Sequence, residues 1–61
     1  MPSDEVRRLL KTFGVAVTEF EDAVHRAAPA AELHKLDAEL RSRLEEIEAL
    51  IERLRRRAAE S

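Results

Sequence analysis

Between Leu33 and Leu54 the chain carries apolar residues at the alternating three- and four-residue spacing of a coiled-coil seam. A helix bearing such a stripe must cover it with another helix. Read in heptads, Leu33, Leu40, Ile47 and Leu54 fall at d, Leu44 and Ile51 at a. Leu36 and Leu50 stand beside the seam at g and widen it beyond what a two-stranded coiled coil uses. Most of the remaining positions are charged, with Asp37/Arg41, Glu39/Arg43 and Glu52/Arg56 in the favourable i,i+4 order.

A second seam runs through the first half. Leu10, Val17 and Val24 take a, Val6, Phe13, Phe20 and Ala27 take d, and Leu9 and Ala16 flank them. Ser3 is placed to cap this helix, with Asp4 and Glu5 in the first turn, where the helix dipole favours negative charge. Thr12 to Phe20 is its weakest part: Gly14 and several β-branched residues disfavour helix, and Phe13, Val15 and Val17 alternate as a strand would. A strand followed by two helices would point to a ribbon–helix–helix repressor. The three-and-four spacing continues unbroken from Leu10 to Val24, however, and decides for helix. Gly14, at e, is either a tolerated surface glycine or a place where another backbone comes close.

Pro29 separates the seams. It lacks a backbone donor, clashes with the carbonyl four residues back and pushes Ala28 out of the α region. On one continuous helix Val24 and Leu33 would point roughly 180° apart at ~100° per residue, so the two stripes could not share a core. A reversal lets them face each other. The expectation is a single all-α domain: helix 1 over about 4–27, a turn at about 28–29, helix 2 over about 30–58, folded as an antiparallel hairpin. Two helices share only one groove, and broad stripes on both call for more cover. Pairing two hairpins into a four-helix bundle with coiled-coil-like packing supplies it. The partner is then a second copy in a homodimer, or a helix of another protein. The expected interface is Val6, Leu10, Phe13, Val17, Phe20 and Val24 with Leu33, Leu36, Leu40, Leu44, Ile47, Leu50, Ile51 and Leu54. Asp37, at a, is the one polar residue in the seams, placed either to specify register or to reach water.

Composition limits the chemistry. There is no Cys, so neither a disulfide nor a thiolate site can staple so short a chain. The serines are terminal or, for Ser42, on a charged face, and no nucleophile–base pair is visible; an enzyme is not expected. His25 and His34 flank the turn, each three residues from an Asp, the spacing of carboxylate-bridged metal sites in bundles. His25 and Asp22 fall at b and f, away from the seam, so no metal and no cofactor is expected. The acidic start has no apolar leader behind it and no run approaches a membrane span, which gives a cytoplasmic protein without membrane contact as the expectation.

Folding the hairpin brings Arg53, Arg55, Arg56 and Arg57 to the end that holds Arg7, Arg8 and Lys11. Seven of the eleven basic residues meet four acidic ones there, while the remainder of the chain carries four basic and nine acidic residues. This basic end either compensates the dipole of helix 2 or docks an anion, such as nucleic acid or an acidic protein surface. Acidic residues interrupt it and no aromatic residue is available to stack on bases, which favours the first role. In hairpin size and heptad pattern, though in no RNA-contacting residue, the chain resembles the Rop-type plasmid RNA-binding proteins, which pair two helical hairpins. Small secretion chaperones and antitoxin-like adaptors share the shape. The expected function is a non-enzymatic oligomerisation and protein-interaction module. The alternatives are a small RNA- or DNA-binding regulator and an adaptor subunit that pairs with another protein's helix.

Overall fold

The structure, a computed structural model, describes residues 3–60. Of the acidic start, Met1 and Pro2 lie outside the described residues. Two helices, α1 (Asp4–His25) and α2 (Ala30–Glu60), pack against each other as a hairpin. Ion pairs at both ends make it antiparallel, because Glu5 near the start of α1 meets Arg53, and Arg26 just after α1 meets Glu32 near the start of α2.

α1 begins where a side-chain oxygen can serve its orphan donors: Ser3 Oγ accepts the Val6 N–H at 3.1 Å. Helix continues through the β-branched stretch around Gly14. Its hydroxyls turn back onto the helix, Thr12 donating to the Leu9 carbonyl at 3.1 Å and Thr18 to the Gly14 carbonyl at 2.8 Å. Tertiary cover of the apolar face outweighs the weak local propensity there.

The end of α1 differs from the expected 27. The helix stops at His25, and Ala27 takes a left-handed conformation with φ 55°. The Ala28 N–H donates to the Ala23 carbonyl at 3.0 Å and the Ala27 N–H to the Val24 carbonyl at 3.1 Å. These are the two bonds of a Schellman ending, with alanine where glycine is usual. Ala27 therefore leaves the d row and takes no part in the seam. Pro29 then caps α2 from outside it, its carbonyl accepting the Glu32 and Leu33 N–H groups at 3.0 and 3.1 Å. The chain has turned within four residues, 26–29.

The shape is a thin slab, 49 × 19 × 12 Å with a radius of gyration of 14.7 Å, against about 10.5 Å for a compact chain of this length. Its least dimension is one helix diameter. The described residues cover few side chains completely: only Ala16, Ala23 and Leu50 are buried. The total accessible surface is 5054 Å², whereas a compact 7.0 kDa monomer exposes about 4,000 Å². No helix among the described residues is long and apolar enough to cross a membrane.

Candidate interaction surface

Which apolar rows the hairpin uses follows from burial. On α1, Val6, Leu9, Phe13, Ala16, Phe20 and Ala23 are buried or half-buried, and on α2 so are Leu33, Leu36, Leu40, Ile47 and Leu50. These are the d and g positions of both helices. Ala23 is wholly enclosed, which lets the chains approach closely next to the tight turn. Arg43 occupies the g position between Leu36 and Leu50, half-buried, with its guanidinium on Glu46 at 3.3 Å rather than on Glu39, the partner its i,i+4 spacing suggested.

The a rows are left outside. Leu10, Val17 and Val24 on α1 and Leu44 and Ile51 on α2 are exposed, from 40% at Val17 to 56% at Leu10. Leu54, a d residue, is exposed as well, because α2 runs past the start of α1. Asp37, the polar a residue, is half-buried and receives the Arg41 guanidinium at 2.9 Å.

Helical geometry places these exposed rows on one side of the slab. In an antiparallel pair, equivalent positions flanking the shared seam face each other. The c rows demonstrate this: Glu5 meets Arg53 at 2.7 Å and Arg26 meets Glu32 at 2.7 Å, all four at c. Glu19 and Glu39, also at c, line one groove of about 220 Å³ with Lys11, Val15 and Arg43. With the c rows on one edge, both a rows lie on the other. The molecule thus has a polar, ion-paired edge and an apolar edge that nothing in the hairpin covers. Gly14, at e beside the apolar row, has open space around the position a Cβ would take.

The expected basic end is divided by the fold. Arg53, Arg57 and Arg8 gather about Glu5, whose carboxyl is held below its ordinary pKa. The Arg53 hydrogen bond is the main cause, partly opposed by desolvation and aided by the Arg53, Arg8 and Arg57 charges. Ser3, Glu5, Val6, Leu50, Arg53, Leu54 and Arg57 line an open cleft of about 340 Å³ at this end. Arg56 pairs with Glu52 at 3.7 Å, Arg55 lines another groove with Glu48, Ile51 and Glu52, and Lys11 belongs to the polar edge. Arg7 is exposed on the e row beside Leu10. The seven cations therefore do not gather in one groove: Arg53 and Arg57 share one, Lys11 and Arg55 line two others.

His25 and His34 are exposed, and no group of three or more His, Asp or Glu among the described residues is arranged to hold a metal ion. No known protein-family model, characterised protein or solved structure matches the chain.

Proposed function

We propose that the chain is a non-enzymatic interaction module that self-associates through its apolar edge, two hairpins forming a four-helix bundle. The observation that carries this reading is the pair of a rows, five exposed aliphatic side chains from two helices on one edge of a slab. Burying a side chain of this kind is worth ~1.5–3 kcal/mol. The surface in excess of a compact monomer, roughly 1,000 Å², is of the order that one partner contributes to a standard interface, ~800 Å². Within the bundle the a and d rows form the central core, while g closes the hairpin and e flanks the partner.

The test is the mass in solution and its response to one substitution. Light scattering at tens of micromolar should give twice the 7.0 kDa chain. Leu44→Asp places an unpaired charge mid-edge and should cost the assembly about 3 kcal/mol or more. Leu44 is exposed in the hairpin itself, so the loss should appear as dissociation. A wild-type chain that keeps a well-folded monomer mass at that concentration refutes the reading. If the wild type stays monomeric alone but its helicity rises on adding a helix from another protein, the adaptor alternative replaces self-association.

A further inference from the structure

The charges beside the apolar edge are self-complementary about one level of the slab, and they choose between the two ways a second copy can be laid on it. We propose that the partner is a second copy of this chain in the opposite direction, with its turn beside the first copy's open end. The two-fold axis passes at the level of Gly14 and Leu44. This rests on the self-association proposed above and adds the orientation.

The register of the hairpin is set by Glu5 opposite Arg53 and Arg26 opposite Glu32. Each step along α1 is matched by one back along α2, so Gly14 stands level with Leu44. On α1, Arg7 and Glu21 lie one heptad to either side of Gly14, both at e. On α2, Arg41 and Glu48 straddle Leu44, also at e. A two-fold axis at this level lays α1 against the partner's α1 and α2 against its α2, antiparallel. Arg7 then meets the partner's Glu21, and Arg41 meets the partner's Glu48, each pair twice. Two independent charge patterns on two helices share one centre, which lies between Leu10 and Val17 of the exposed apolar row.

Three further observations agree. Arg7, Glu21 and Glu48 are exposed and enter none of the ion pairs within the hairpin among the described residues, so their charges are available to a partner. Gly14, with open space where its Cβ would be, sits where the two α1 backbones cross and permits their close approach. Asp37 comes opposite the partner's Ile51, but its carboxylate is already held by Arg41 at 2.9 Å and enters the interface neutralised. The alternative keeps both turns at the same end and lays α1 against the partner's α2. It sets Glu21 level with the partner's Asp37, itself ion-paired, and puts Arg7 about one turn from both the partner's Glu48 and the partner's Arg55, so no free opposite charges stand at the same level.

Spin labels on Ala31→Cys, an exposed position in the first turn of α2, read the orientation directly. Opposed hairpins should hold the two labels ~40 Å apart at 1.5 Å per residue, while turns at the same end bring them within about 20 Å. As a second measurement, Glu21→Arg should weaken the dimer about ten-fold by turning two pairs repulsive, and adding Arg7→Glu should restore it. A dimer with the short distance, or with no rescue by the double variant, overturns the orientation while self-association stands. A monomer mass overturns both.

Discussion

Ala27 is the residue whose conformation contradicts its type, and it offers a graded test of the turn. A left-handed φ of 55° costs an L-residue with a Cβ ~1–2 kcal/mol, which glycine does not incur. Ala27→Gly should recover that cost less the extra freedom glycine gives the unfolded chain, ~0.4–1 kcal/mol. The expected net gain is about 0.5–1 kcal/mol per chain. At ~2.1 cal/mol/K per residue the unfolding entropy of 61 residues is ~0.13 kcal/mol/K, so Tm should rise by roughly 4–8 °C. The ratio is the same for a monomer or a cooperative dimer, since both terms double. Chemical synthesis is practical at this length and allows Ala27→D-Ala, which favours positive φ without the entropy of glycine and should gain more, ~1–2 kcal/mol. Thermal unfolding followed by circular dichroism at fixed concentration gives the order: the D-Ala variant highest, the Gly variant next, the parent lowest. Equal or lower Tm for both variants would refute a left-handed residue here, and with it the Schellman bonds from Ala27 and Ala28.

The remaining predictions concern the ion-paired edge and the divided cations. Because the folded hairpin lowers the Glu5 pKa, the stability it contributes is fully present above the ordinary glutamate value and is lost as pH falls through the lowered one. Glu5→Gln should therefore leave a shallower acid limb in Tm against pH, and an unchanged limb would show that Arg53 does not hold Glu5 in solution. Arg26 ties the last turn of α1 to the first turn of α2 through Asp22 and Glu32. Arg26→Gln should lower Tm at low ionic strength, with the difference shrinking towards 1 M salt, where the Debye length is ~3 Å; a difference independent of salt would assign the effect to packing. Replacing Arg55, Arg56 and Arg57 together by Gln should leave the oligomeric mass unchanged, since all three lie beyond Leu54. The parent chain should show no salt-sensitive retention on a polyanion at physiological salt, and an arginine-dependent complex losing ~0.7–0.9 in log–log slope per contact would restore the anion-docking role.

The sequence alone was enough for the two helices, their separation at Pro29, the Ser3 cap and the direction in which the apolar stripes must turn. Each of these follows from local chemistry: a missing donor, a side-chain acceptor before an acidic turn, and a period close to 3.6. Which rows would meet was not legible there. The three-and-four spacing is satisfied equally by a with d and by d with g, and in this chain all three rows are apolar over much of their length. Tertiary structure decides for d and g. A four-residue turn, 26–29, with left-handed Ala27 inside it sets the register, and in that register the c rows bring Glu5 to Arg53 and Arg26 to Glu32 at the same levels. Ala27 itself could not be anticipated, because alanine carries no signal for positive φ, and only closure of the hairpin compensates its strain. The same choice leaves Leu10, Val17, Val24, Leu44 and Ile51 uncovered on one edge. Periodicity marks those residues as apolar; the turn and the register determine that they face outward together.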